Sequence, residues 1–337
     1  MKLQLDINIE KPKATINYDD GLLLIGSCFT ANIGKMLSER KFNCLHNPTG
    51  ILFDPHSIAK HVHDIVYNKQ YTVDNLFVLN GIYNSWNHHS EFSDVDAEKV
   101  VAKINGRINA AHNLLLKCKW MVITLGSAYH YTLVDNNIAV ANCHRAPSQW
   151  FHKKMIPSSE IQTMLSNIIN LLQRINPQLN FVFTVSPVRH IRDGVVENNF
   201  SKAQLIDAVH QLKAKYNTVN YFPAYEIVID VLRDYRFYDI DLVHPNYLAT
   251  EIIFEYFEKN YLDEATRKIA DDILALTKAI NHRPLHASSP THQAFLKQTL
   301  EKIKQMQQLM PGLNWKNDLE QIEAQIKNNN LDSNVKL

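Results

Sequence analysis

Short continuous apolar runs alternate along this chain with stretches in which apolar residues recur every three or four positions. Gly21 to Gly26 reads GLLLIG, a run short enough for a fully buried strand. Phe29, Ile33, Met36 and Leu37 then share one helical face, ending near Arg40. Further strands are predicted at 42–47, 120–126, 180–187 and near 219–222, and helices at 56–68, 96–118, 158–175, 202–216, 224–235 and 247–259. Ser201 and Gln204 suggest a capping box for the helix at 202–216. Two alternating runs around Asp135-Asn136-Asn137 predict a hairpin, and the aromatic and polar stretch 71–95 reads as loop or irregular strand. Strands alternating with helices imply a mostly parallel sheet with helices on both faces, an α/β fold. Beyond 262 only helical patterns remain, at 264–281, 290–308 and 315–328. The expected organisation is therefore an α/β domain over 1–261 and a packed helical appendage over 262–337, fraying from 328 onward. Leu296, Ile303, Met306 and Leu309 supply the stripe by which the appendage packs.

Charge narrows the partners. Lys and Arg number 35 against 34 Asp and Glu, so nothing suggests general nucleic-acid binding, which needs clustered positive charge. With 45% hydrophobic residues the chain can build a sizeable core. No apolar run approaches the roughly 20 residues of a membrane span. No signal-type apolar segment follows Lys2, so a cytoplasmic location is expected. The four cysteines, Cys28, Cys44, Cys118 and Cys143, are scattered without metal-site spacing, and a disulfide framework is not expected in so long a chain.

In open parallel sheets sites form beyond the carboxyl ends of the strands. After the first strand comes Gly26-Ser27-Cys28-Phe29-Thr30. Ser27 stands at a helix start, where free N–H groups favour a developing oxyanion; it also fits a plain N-cap. A serine hydroxyl attacks a carbonyl only with a base nearby. The candidate base lies in Asp241-Leu242-Val243-His244-Pro245-Asn246. An Asp three residues before a His can accept a hydrogen bond from Nδ1–H and leave Nε2 facing a nucleophile; the same residues also make an ordinary surface turn. Cys28 is a rival nucleophile, since a helix start lowers thiol pKa. Trp86, His88 and His89 suit recognition of a sugar or acyl group, or a loop with one buried Trp. Arg189, His190 and Arg192 follow the fourth strand and suit an anionic group, or pair with Asp193 or Glu197; His144 and Arg145 pose the same choice.

Taken together, the run GSCFT, NPTGILFDP (47–55), TLGSAYHY (124–131), ANCHRAP (141–147), SPVRHIRDG (186–194), ENNFSKA (197–203) and DYRFYDIDLVHPN (234–246) resemble the GSCFA family, over about residues 20–300. Thr30 departs from the family's final Ala. The order of Ser27 and the DxxH turn resembles the wider SGNH/GDSL hydrolase superfamily. The resemblance implies a flavodoxin-like three-layer α/β/α sandwich and a Ser27–His244–Asp241 triad working on esters without metal or organic cofactor. It implies an oxyanion hole from the N–H groups of Ser27 and Gly50. The superfamily's usual Asn is absent after the third strand, where Gly126-Ser127 stands, so Ser127 or Asn142 is the substitute donor, with His144 a further candidate. The expected activity is that of a serine-type esterase acting on a small-molecule or carbohydrate ester, possible substrate contacts being Trp86, His88, His89, His144, Arg189 and His190. Two alternatives stand beside it: an O-acyltransferase using the same triad, and a catalytically silent glycan-binding module. The oligomeric state is left open.

Overall fold

A computed structural model describes residues 5–334, with side chains through residue 327. In chain order the elements begin with β1 (Leu22–Gly26), α1 (Cys28–Glu39), β2 (Cys44–His46), α2 (Pro55–Val66), β3 (Phe77–Leu79), β4 (Ile82–Asn84) and α3 (Ala97–Leu115). Next come β5 (Trp120–Leu125), β6 (Tyr129–Leu133), β7 (Ala139–Val140), β8 (Phe151–Met155), α4 (Ser158–Ile175), β9 (Asn180–Val185), α5 (Val195–Lys215) and β10 (Val219–Tyr221). The chain ends in α6 (Ala224–Glu226), α7 (Tyr247–Tyr261), α8 (Glu264–Ile280), α9 (Pro290–Leu309) and α10 (Lys316–Asn334). It forms two compact units, residues 1–35 with 43–262, and residues 36–42 with 263–337.

The first unit is built on a five-stranded sheet in the order β10-β9-β5-β1-β2, parallel throughout. Alternation along each strand divides the core. Leu23, Ile25, Met121, Ile123, Phe181 and Phe183 pack with apolar residues of α2, α3, α4 and α5. On the opposite face Trp120 meets Tyr261 of α7 edge to face, 6.4 Å between centroids. This is the expected α/β sandwich.

The chain runs from β1 to β2 on one side and reaches β5 on the other, so the order of the strands reverses between β1 and β5. Gly26 ends β1 with φ +147°, and a Cβ there would lie 2.2 Å from the Thr124 carbonyl oxygen of β5. Only glycine fits so close an approach.

Two small sheets stand apart from the main one. β3 and β4 make a hairpin inside the stretch expected to be loop or irregular strand, and β6 pairs with both β7 and β8. The hairpin around Asp135–Asn137 is present as β6–β7; β8, carrying the alternation Phe151, Lys153, Met155, was not anticipated. Between these sheets and α2 lies a buried polar cluster. Asp64 accepts from Tyr71 Oη at 2.7 Å and Lys60 Nζ at 2.9 Å. His61 meets the Asn87 carbonyl, and its ring lies 4.9 Å from that of His88.

Helix α5 corrects a sequence expectation. It starts at Val195, so Ser201 and Gln204 sit inside it and form no capping box. Ser201 Oγ accepts from Ala128 N at 2.8 Å, and Gln204 Oε1 accepts from Ser158 N at 2.8 Å at the start of α4. Both residues satisfy orphan N–H groups, but of other elements. The helix expected at 224–235 is α6 continued by a π-helical turn, Ile227–Leu232, and stopped by Arg233 at φ +41°.

In the second unit Leu296, Ile303, Trp315 and Ile322 are fully buried or nearly so. Lys41 reaches Asp318 at 2.6 Å and lies 4.9 Å from the centre of the Trp315 ring. Leu309, expected to pack, is 62% exposed. Helix α10 continues through Asn334, beyond the expected end at 328; residues 335–337 of the expected frayed tail lie outside the described residues. Among the described residues no helix is long and apolar enough to cross a membrane.

Gly26→Ala should lower stability by about 2 kcal/mol or more, because strained backbone and a blocked strand approach act together. Thermal melts check it; an unchanged midpoint would show that the β1–β5 contact yields. A second expectation concerns acid. Burial holds His61 down to about 4, against an ordinary 6.5, and His88 well below the ordinary value. Their contribution to stability is complete above 6.5 and is lost as pH falls toward the folded value, at about 1.4 kcal/mol per pH unit per histidine. Urea unfolding should therefore show a fall in stability between pH 6.5 and pH 5, where most carboxylates are still ionised. Equal stability at pH 7 and 5 would contradict it.

Candidate active site

The β1–α1 turn lies where the order of the strands reverses. Asn47 ties it down: its Oδ1 accepts from Gly26 N at 2.9 Å, and its Nδ2 donates to the Ser27 carbonyl at 3.4 Å. Ser27 N donates to Thr124 O at 3.3 Å, and Ser27 Oγ accepts from Phe29 N at 3.3 Å. Ser27 is fully buried. Its neighbour Cys28 is half-buried, and burial pushes its thiol up, against the opposing pull of the Cys28 and Phe29 N–H groups and of Lys202. A raised thiol stays protonated at neutral pH, the state of a packed sulfur and not of an activated one.

The second half of the site is the turn before α7. Asp241 Oδ1 accepts from the backbone N–H groups of Val243 (2.9 Å) and His244 (3.0 Å), while Oδ2 meets His244 Nδ1 at 2.7 Å. These three bonds, those of the His244 backbone and ring first, hold the Asp241 carboxyl down to about 2. An ionised carboxylate at Nδ1 fixes the tautomer with the lone pair on Nε2. Leu242 takes φ +58° inside the turn, and Asn246 closes it by capping α7, accepting from Ala249 N at 3.0 Å. The Asp241 and His244 side chains are each close to half exposed, and no hydrogen bond joins His244 to Ser27 among the described residues.

The loop after β9 braces this turn. Arg189 N donates to Val243 O at 3.2 Å, and its guanidinium lies 4.2 Å from the ring centre of Tyr238 and 5.3 Å from that of Tyr235. His190 packs on Phe53 at 5.3 Å, and burial pulls its ring down to about 4. Asp193 pairs with Lys153 of β8, and not with the arginines beside it.

The remaining sequence candidates divide. Gly50, at φ +88°, donates its N–H to Asn47 O at 3.0 Å and has the His89 Cβ 2.3 Å from the place its own Cβ would take. Ser127 follows β5; its N–H donates to Phe53 O at 3.0 Å and its Oγ accepts from Tyr129 N at 3.1 Å. Asn142 Oδ1 accepts from His144 N at 2.8 Å. Trp86 stacks on Phe77 at 3.5 Å with Phe151 and His144 at its edges. His88 is fully buried and bonded to Ser85 Oγ at 2.9 Å, and His144 is bonded to Ser85 O at 2.8 Å. Trp86 and His144 thus join a small aromatic cluster with Phe77 of β3 and Phe151 of β8, while His88 packs on His61, Tyr71 and Phe92. His89 is half-buried, its Nδ1 accepting from Glu91 N at 3.3 Å.

Two residues escaped the sequence reading. Asn47 is one, hidden in NPTG. Lys202 is the other: it is 1% exposed, and its Nζ donates to Gly126 O at 2.6 Å and Ser186 O at 2.7 Å. Its signal was present in the spacing, since Lys202 occupies the same helical stripe as the buried Leu205, Val209 and Leu212. Among the described residues no group of three or more His, Cys, Asp or Glu is placed to hold a metal ion.

Residues 21–257 match the GSCFA family, and residues 273–328 match the C-terminal domain of GSCFA domain proteins. No curated protein matches the chain. Among solved structures the chain resembles an acetyl xylan esterase (Est2A) from the rumen bacterium Butyrivibrio proteoclasticus at 10% identity and a TM-score of 0.36. That match covers 72% of this chain and 64% of that one, less than two thirds of the enzyme's length. With its family match running from β1 to α7, across every strand of the parallel sheet and both halves of the candidate site, the chain belongs to the GSCFA family.

Proposed function

We propose that this protein is a serine-type hydrolase of ester bonds in which Ser27 is the nucleophile, His244 the base and Asp241 the residue that orients it. The observation that carries the reading is the Asp241–His244 contact at 2.7 Å, which leaves Nε2 without a partner among the described residues. In this reading Ser27 Oγ leaves its bond to Phe29 N, attacks the ester carbonyl carbon and gives its proton to His244 Nε2. The imidazolium then protonates the departing alcohol. Water attacks the acyl-enzyme in the second half, with His244 again taking and returning a proton. Catalytic hydrogen bonds that are absent in an empty site close in the complex, and the short Ser27–His244 bond belongs there.

The oxyanion donors are proposed from what the turn offers. Ser27 N reaches Thr124 O at a long 3.3 Å and is the more readily released; Gly50 N is held in its own turn at 3.0 Å. Ser127 and Asn142 remain candidates for the position that lacks the superfamily's Asn. The substrate class, an O-acyl group on a carbohydrate, rests on superfamily analogy. Transfer to a second alcohol needs the same triad and differs only in what reaches the acyl-enzyme. A cytoplasmic location belongs to this reading as well. One observation favours a second reading, a silent binding module: Ser27 is fully buried, its Oγ already bonded.

Turnover of a short-chain aryl ester decides between them. Ser27→Ala should lower it by at least about 10³-fold, and His244→Ala by nearly as much, because groups that act as a unit do not lose additively. Asp241→Asn should lose less than Ser27→Ala, and Cys28→Ser should keep most activity. Circular dichroism melts of all four should stay near that of the parent. Full activity in folded Ser27→Ala would end the nucleophile assignment. Loss confined to Cys28→Ser would move the chemistry to the thiol. No turnover of any aryl or acetylated-sugar ester, with glycan binding retained, would establish the silent module.

A further inference from the structure

Lys202 is a buried amine without a carboxylate. Its only described polar partners are two backbone carbonyls, Gly126 O after β5 and Ser186 O after β9, at 2.6 and 2.7 Å. These carbonyls follow two of the three central strands, and the third, β1, ends at Gly26, just before Ser27. An ammonium has three N–H donors, and two are used here. The groups around it are few. Cys28 of α1 and His190 of the loop after β9 interact with it electrostatically, and the Tyr225 ring of α6 lies 5.9 Å away. None of the three carries negative charge at neutral pH, since burial pushes Cys28 and Tyr225 up and His190 down. A cation kept in such surroundings is expensive, and sites where an anion must form are where such charges recur.

We propose that Lys202 is a positioning residue of the candidate site: it clamps the C-terminal ends of β5 and β9 and lends the Ser27–Cys28 turn a positive charge that stabilises an anion formed there. The catalytic consequence rests on the esterase reading; the charge itself does not. Burial pulls the Lys202 ammonium down to about 7, opposed only by Cys28, so the charge is present below that value and lost above it. Charge stabilisation at the turn should therefore weaken as pH rises through about 7. The same ammonium assists whatever anion the turn generates, an oxyanion on substrate or a thiolate on Cys28.

Cys28 supplies a probe independent of any ester. Its alkylation by iodoacetamide, followed on the Cys28 peptide by mass spectrometry, should be about three- to tenfold slower at pH 6.5 in Lys202→Met than in the parent, while Lys202→Arg, which keeps a charge, should recover part of the rate. In the parent, lysine titration followed by NMR should show one side chain losing its proton near 7, far below the rest. Where esters are turned over, Lys202→Met should lower kcat more than it raises KM and should remove the decline in kcat above about pH 7. A folded Lys202→Met with parental Cys28 alkylation overturns the proposal. So does a parent protein in which Lys202 is already neutral at pH 6.5, which decides the matter even where the variants fail to fold. Cys28 alkylation that depends on Lys202, in a protein that turns over no ester, supports this proposal and removes the esterase reading.

Discussion

The approach of Gly26 to the Thr124 carbonyl is the contact on which the rest of the first unit depends. β1 and β5 are adjacent parallel strands, yet the chain leaves β1 toward β2 and returns to the sheet on the other side. The turns that leave the two strands therefore diverge and open a crevice. For Ser27 to stand at its floor, β1 must end close against β5, which the missing Cβ of Gly26 permits. The Asn47 side chain then fixes the turn from the β2 side with two hydrogen bonds, so backbone proximity and one buried amide define where Ser27 lies.

Much of this was legible in the chain because the physics is local. A continuous apolar run bounded by Gly21 and Gly26 has no plausible place except a buried strand, and β5 and β9 announced themselves by similar runs, while β2 and β10 were read from the shorter FNCLHN and VNYF. The Asp241–His244 contact was legible too, since three residues of a turn suffice to form it. The failures came where a side chain serves an element remote in sequence. Ser201 and Gln204 carry a capping pattern, but their partners are Ala128 and Ser158, brought near by tertiary packing. Local pattern predicted the right chemistry, an oxygen accepting an orphan N–H, and the wrong N–H. β8 was missed for a related reason: FHKKM has little apolar content, and its strand exists through pairing with β6.

The candidate site was legible in its two ends and illegible between them. Ser27 and His244 are separated by more than 200 residues: Ser27 follows β1, and His244 stands in the turn before α7, which Arg189 of the loop after β9 meets through the Val243 carbonyl. Trp86 and His88 looked like recognition residues because aromatic and imidazole groups in a loop have few other uses. The fold gives them one: Phe77 covers the Trp86 face, and Ser85 holds both His88 and His144. Composition carries no information about which face of a ring is already taken.

Burial without compensation is the theme common to the accessory cluster and the site, and it acts with opposite sense in each. His61, His88 and His190 avoid the expense of a dry charge by staying neutral, which leaves them as packed rings with polar edges. Lys202 has no such freedom below about 7, because an amine is the stronger base; there it keeps its proton by giving two N–H groups to the carbonyls of Gly126 and Ser186 at the strand ends. Those carbonyls point their negative ends inward, so the sheet's own dipoles partly neutralise the ammonium and no carboxylate is needed. A carboxylate would have cancelled the field at the Ser27–Cys28 turn, whereas dipoles weaken it without removing it. The stripe of α5 that buries Leu205, Val209 and Leu212 thus delivers one cation to the floor of the crevice, and the same packing that stabilises the helix determines the potential at its neighbour's first turn.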